Sequence, residues 1–338
     1  MEIADYLKIL ESKKDLTQEQ AVNLLTLLVE GKPENTKIAE ILMALAGKGE
    51  TVDEIVGFAC GMRKLMLTVD TEEDVLDIVG TGGDGSNSIN ISTISAIVTA
   101  ACGVKVAKHG NRAASSKCGS ADVLEALGVN INLTPDKARS VLDKIGLVFL
   151  FAPQFHPAMR IVGPVRKELK RRTIFNYLGP FLNPARATRM LLGVANLELA
   201  KKFLEISKQL NYKHLVIVTS EDGMDEISVA SKTQAFELKD GNIKDFTIDP
   251  GKLGFKKYLK EDLAGGDPTE NAENARRILN GEETGAKRDA VILNSSYGLL
   301  VSGRVSNIEE GLKLARAAID SGRAGEVLDS LVEETNKN

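Results

Sequence analysis

Residues 75–93 read VLDIVGTGGDGSNSINIST. The first six form a short apolar run, the signal of a buried strand. Gly80, Gly82, Gly83 and Gly85 then break regular structure, and an apolar stretch near 90–102, ending at Gly103, reads as a helix. Strand, glycine turn and helix open an α/β unit. Working forward, VKVAK (104–108) and LVFLFA (147–152) are the next strands, separated by the helices ADVLEALG and PDKARSVLDKIG, the latter with Pro135 at its first position behind Thr134. MLLGVA and HLVIVT flank the helix LELAKKFLEISKQL, and 227–248 suggests extra antiparallel strands turning at Lys239–Asn242. The last seventy residues are mainly helical. Alternation of this kind predicts a mostly parallel central sheet.

Working backward, the first seventy residues contain no strand signal. Thr17 with Gln20, and Thr51 with Glu54, make capping boxes before amphipathic runs, and a third helix covers about 36–46. The expected architecture is therefore an α/β domain plus a smaller all-helical domain. The helical domain is expected over 1–70, completed by about 155–185, where Pro164 interrupts a helical pattern and NYLGPFLNPA is punctuated by proline and glycine. The α/β domain then takes 71–154 and 186–338.

Composition narrows the function. The 338 residues are 43% apolar and 27% charged, enough for a sizeable core, and the net charge is −4. No basic surplus favours nucleic acid. Cys60, Cys102 and Cys118 form neither a CxxC pair nor a zinc pattern. The N-terminal pattern is not that of a signal peptide and no run is long enough for a membrane span, so a cytoplasmic protein without membrane partners is expected.

Gly80, Gly82 and Gly85 satisfy GxGxxG formally, but the first acid after Asp84 is Asp122, and a dinucleotide site wants one about 20 residues on. No GK[ST] follows. Taken alone the loop also reads as a structural turn. Ser88, Asn90, Ser92 and Thr93 crowd polar groups at the helix entrance, where capping needs one. Lys108-His109-Gly110-Asn111-Arg112 end the next strand and lead through Ala113, Ala114, Ser115, Ser116, Lys117 and Cys118 to Ser120. Both loops belong to the carboxyl edge of a parallel sheet, where ligands sit. Three cations, hydroxyls and free N–H groups there point to a phosphate site. Cys118, beside Lys117, is a candidate for a lowered thiol pKa, and His214 for a surface position at a strand start.

GTGGDGSNSINISTISA (80–96), KHGNRAASSKCGSADVLEALGV (108–129), HPAMRIVGPVRKELKRRTIFNYLGP (156–180) with LNPA, and DGMDE (222–226) together closely resemble the anthranilate phosphoribosyltransferase family. The resemblance spans essentially the whole chain. It implies a fold like that of the pyrimidine nucleoside phosphorylases and a homodimer formed through the helical domain. It also implies transfer of phosphoribose from 5-phosphoribosyl 1-diphosphate to the amine of anthranilate, with Mg²⁺, two ions per monomer. By resemblance, Gly80, Gly83, Asp84, Ser88, Asn90, Ile91, Ser92 and Thr93 hold the donor, as do Lys108, His109, Gly110, Asn111, Arg112, Ala113, Ala114, Ser115, Ser116 and Ser120. Gly80, His109, Asn111, His156, Arg166 and Pro180 resemble the anthranilate contacts. Asp225 and Glu226, with Ser92 nearby, resemble the metal ligands. Orienting and electrostatic roles fall to Lys108, His109 and Arg166. Ile89, Cys118 and NSSYGLLVSG depart from the family pattern without removing a polar contact. A pyrimidine nucleoside phosphorylase is the rival enzyme and a nucleic-acid-binding relative the rival from another class.

Overall fold

The computed structural model describes residues 1–31, 33–113 and 116–337. Four helices open the chain: α1 (Ile3–Glu11), α2 (Gln18–Glu30), α3 (Asn35–Lys48) and α4 (Val52–Leu65). Thr17 and Thr51 cap α2 and α4 through reciprocal bonds with Gln20 and Glu54. Each helix buries one apolar stripe, Leu24, Leu25 and Leu28 on α2 against Ile55, Phe58 and Met62 on α4 among them, because none of this length holds alone in water.

The α/β part follows in order: β1 (Leu76–Gly80), α5 (Ile91–Ala101), β2 (Val106–Gly110), α6 (Ser120–Ala126), α7 (Pro135–Ile145) and β3 (Leu147–Phe151). Next come α8 (Ala152–Phe155), α9 (Met159–Leu169), α10 (Phe175–Leu178), β4 (Arg189–Gly193), α11 (Leu197–Gln209) and β5 (His214–Ser220). The hairpin β6 (Thr233–Lys239) and β7 (Asn242–Ile248) precedes α12 (Pro268–Leu279), α13 (Ala286–Ser302), α14 (Ile308–Asp320) and α15 (Arg323–Asn336). The sheet order is β3-β2-β1-β4-β5-β6-β7, parallel through β5 and antiparallel beyond it. β3 and β5 are buried along their whole length, as a sheet covered on both faces requires. β7 closes the edge with exposed Lys244 and Asp245, charges that discourage further pairing.

Two cores result. One lies between the sheet and α5, α13 and the C-terminal helices. The other runs from the opposite sheet face, Leu192, Leu215 and Ile217, through Phe203 of α11 into the helical bundle. α9 packs on α2 and α3, adding Val162 and Val165 to that second core. Pro164 does not stop α9, contrary to the sequence reading: burial of these two valines outweighs one missing backbone bond. His214 is also not at the surface. It is 2% exposed and shares a 2.7 Å bond with Glu237 across the β5–β6 pair, which brings a partner 23 residues away. No helix is long and apolar enough to cross a membrane among the described residues.

Candidate active site

β1 leads to β2 and β3 on one side, while β4 and β5 lie on the other, so the strand order reverses between the parallel neighbours β1 and β4. Ligands of open α/β sheets bind at that reversal, beyond the strand carboxyl ends. Gly80 and Gly193 are paired there, at the last register of the two strands. A Cβ on Gly80 would come within 2.5 Å of Asp225 Oδ2, and one on Gly193 within 1.6 Å of the Asp225 carbonyl oxygen. The two glycines thus admit the loop after β5 into the crevice.

That loop carries two acids, Asp225 buried and Glu226 half-buried. Asp225 Oδ2 accepts the Gly82 N–H at 2.6 Å, and Glu226 Oε1 accepts the Ser92 N–H at 3.1 Å. Burial, then the charge of Asp84, raises the Asp225 carboxyl to about 7; burial, then Asp225, raises Glu226 to about 8. A hard cation would relieve this repulsion, and carboxylate and hydroxyl oxygens from Asp225, Glu226 and Ser92 suit Mg²⁺. Among the described residues no three His, Cys, Asp or Glu side chains converge into a closed cage. Mg²⁺ commonly completes its shell with water and phosphate oxygens.

Above these acids the glycine loop turns through Gly83 at φ 78°, a left-handed conformation that costs glycine little. Asp84 accepts the Ser86 N–H at 3.1 Å, and Ser88 forms a single bridge to Ala264. Asn90 does not cap α5 but bonds the Cys118 carbonyl at 3.1 Å and accepts from Asn271 at 3.0 Å. Ile91 and Thr93 are buried, and their N–H groups bond the Ile89 and Asn90 carbonyls. The Thr93 hydroxyl is buried without a partner.

The three expected cations also divide. Lys108 is 3% exposed, its Nζ donating to the Ile78 carbonyl at 2.5 Å and to Ser92 Oγ at 3.2 Å, with burial lowering its pKa against the pull of Asp77. Arg112 is held by Asp122 at 3.1 Å and Glu125 at 2.9 Å, with its guanidinium over Phe151, so it is not a free phosphate fork here. Asn111, Ser116 and Lys117 are exposed at the crevice rim, Ala113 donates its N–H to Asp122, and Ser120 Oγ bonds the Asn111 carbonyl at 3.4 Å. Ala114 and Ser115 lie outside the described residues. Cys118 corrects the sequence reading: burial pushes its thiol up to about 11, opposite to the effect expected of Lys117.

Beside the crevice opens a cleft of about 700 Å³, lined by Gly80, His109, Gly110 and Asn111 and walled by residues of 152–182. β2 extends to Gly110, so His109 is strand rather than loop. His109 Nδ1 lies 3.2 Å from the Gly179 carbonyl oxygen, and its Nε2 lies 3.1 Å from His156 Nε2. A carbonyl only accepts, so His109 carries its proton on Nδ1 and turns the lone pair of Nε2 toward His156. Burial lowers both rings, His109 to about 3 and His156 to about 4, and they are neutral at pH 7. Arg166 lines the same cleft with its guanidinium 5.4 Å from the Phe175 ring centre. Burial lowers its pKa, and no acid pairs with it among the described residues. Pro180 is buried in the wall. The sequence reading missed Met159, Gly163, Phe175, Leu178 and the Gly179 carbonyl, none of which carries a chemical signal of its own.

Fold and site define a glycosyltransferase built from a helical bundle and an α/β half. The family profiles agree: the glycosyl transferase family helical bundle domain matches residues 4–66, and its a/b domain matches 72–325. The anthranilate phosphoribosyltransferase of Methanobrevibacter smithii is 50% identical over 322 residues, 95% of this chain and 96% of the relative. That of Herpetosiphon aurantiacus is 43% identical, covering 99% and 100%. The Thermus thermophilus enzyme structure superposes with a TM-score of 0.91 at 40% identity, covering 98% of this chain and 100% of that one. The Saccharomyces cerevisiae enzyme in complex with PRPP and Mg gives 0.90 at 28%, covering 98% and 97%. The chain belongs to the anthranilate phosphoribosyltransferases, which transfer the 5-phosphoribosyl group to anthranilate in tryptophan biosynthesis.

Proposed function

We propose that this transfer takes place across the boundary between the crevice and the cleft, with the donor over the carboxyl ends of β1, β2 and β4 and anthranilate in the cleft. The observation that carries the reading is Arg166, a half-buried guanidinium without an acid partner among the described residues, in an otherwise largely apolar cleft that opens on Gly80. Such a cation suits a planar carboxylate, bound by two parallel hydrogen bonds. Gly80, His109 and Asn111 line the cleft where it meets the crevice, the place for the acceptor amine to face the ribose.

Departure of diphosphate leaves positive charge on the sugar and negative charge on the leaving group. Mg²⁺, two ions in this reading, would neutralise charge on the diphosphate when bound, and Asp225, Glu226 and Ser92 would hold it. Lys108 adds a buried cation beside Ser92. The aromatic amine is already neutral at pH 7, so attack needs no strong base. Two neutral imidazoles suit that demand, since a protonated ring would oppose positive charge developing on the ribose. What remains is orientation of two bound substrates, which contributes several kcal/mol in such reactions, about 7–11 at the upper end.

The same reading places the domain boundary near residue 70, with 155–185 completing the helical domain, supported by the packing of α9 on α2 and α3. The family resemblance supports a homodimer through that domain. The reading also places the enzyme in the cytoplasm. Purified protein with anthranilate, 5-phosphoribosyl 1-diphosphate and Mg²⁺ is expected to consume anthranilate fluorescence and release diphosphate in equal amounts. Folded protein that does neither refutes the proposal.

A further inference from the structure

β1 and β2 are neighbours, yet only Leu76 and Val106 are in ladder register, whereas β1–β4 and β2–β3 each run for five residue pairs. Continued pairing in this parallel register would bond the Ile78 N–H to the Ala107 carbonyl and the His109 N–H to the Ile78 carbonyl. Side chains take over these groups instead. Asp77 Oδ1 accepts the His109 N–H at 3.2 Å. Asn183 Nδ2 donates to the Ala107 carbonyl at 2.7 Å and to Asp77 Oδ2 at 2.7 Å. Lys108 Nζ donates to the Ile78 carbonyl at 2.5 Å. Asn183 Oδ1 accepts the Ala185 N–H at 2.8 Å, so its amide is fully used and its orientation is fixed by acceptor-only partners.

We propose that Asp77 and Asn183 are positioning residues of the acceptor site, a wedge that holds the carboxyl end of β2 apart from β1 and ties it to the segment forming the opposite cleft wall. This deepens the anthranilate reading and rests on it. Asp77 is 0% and Asn183 3% exposed, so neither touches a substrate. Both nevertheless act on both walls: the wedge holds the backbone on either side of Lys108, and Asn183 follows directly on Gly179, Pro180 and Leu182 of the cleft lining. His109 closes the circuit through the Gly179 carbonyl. A buried carboxylate is costly unless hydrogen-bonded, and an apolar residue would serve a purely structural role at less cost. Its retention between two strands beside the cleft is what a positional requirement would produce.

The test is steady-state kinetics of Asn183→Ala and Asp77→Asn beside the wild type, each substrate varied in turn, with circular dichroism as the folding control. N183A leaves the Ala107 carbonyl and one Asp77 oxygen without donors. D77N keeps the shape but sets two amide donors against each other. Displacement of His109 is expected to raise the anthranilate KM about tenfold or more, with the donor KM changed far less. Folded variants with both KM values unchanged, or with both raised alike, overturn the inference. Should N183A fail to fold, the isosteric D77N carries the same test. A wild type that does not turn over anthranilate overturns the functional reading and this inference together; an active wild type with unaffected variants overturns this inference alone.

Discussion

A Cβ at Gly193 would stand 1.6 Å from the backbone oxygen of Asp225, a contact no side-chain adjustment can relieve. The end of β4 therefore serves as the seat of the acidic loop, which is the proposed metal site. Gly193→Ala must push residues 223–226 outward. Overpacking of this kind costs about 1–3 kcal/mol of stability. The loss of Mg²⁺-dependent turnover is expected to exceed what that destabilisation explains, measured at a temperature where the variant is still folded. Normal Mg²⁺ activation in G193A would show that the loop position is not required.

Asp225 and Glu226 share the burden of one buried charge cluster. The double variant D225N/E226Q removes the repulsion and the proposed cation ligands together. It is expected to be folded and at least as heat-stable as wild type without metal, yet to have lost Mg²⁺-dependent turnover. Retained turnover that still titrates with Mg²⁺ would move the metal site elsewhere.

Arg166 makes the sharpest kinetic prediction. A charge-assisted hydrogen bond contributes roughly 1.5–3 kcal/mol, so Arg166→Ala should raise the anthranilate KM by about ten- to a hundredfold. The donor KM should move much less. Arg166→Lys restores charge but not the planar fork and is expected to recover only part of the loss. Equal effects on the two substrates would remove Arg166 from the acceptor site.

The paired histidines predict a pH dependence of stability. Their folded pKa values, about 3 and 4, lie below the unfolded value near 6.5. Neutral burial therefore favours the folded state above about pH 6.5, and that contribution is lost as pH falls toward the folded values. Asp77, raised to about 6 by burial, works in the opposite sense, so the quantity to compare is the difference between proteins. Urea unfolding between pH 7 and 4 should give H109Q/H156Q a shallower acid decline than wild type, by up to about 1.4 kcal/mol per pH unit for each proton. Parallel curves would mean that the imidazoles are not held neutral.

Local chemistry was legible from the chain alone. The Thr17–Gln20 and Thr51–Glu54 boxes, Pro135 behind Thr134 and the β6–β7 turn all depend on residues within a few positions of one another. The sheet was legible too, because strands covered on both faces must read as apolar runs. Motif residues 80–96, 108–129, 156–180 and 222–226 pointed to the family because their order is itself a sequence property. Charge and burial of individual side chains were not. His214 meets Glu237 only through strand pairing, Arg112 meets Glu125 only when α6 folds back, and Cys118 escapes Lys117 by being buried. The tertiary structure alone set His109 against His156, 47 residues apart, and parted β1 from β2 around Asp77 and Asn183. A residue's type and its neighbours in sequence set which bonds it can make; which it does make, and in what dielectric, depends on groups that only the folded chain brings within reach.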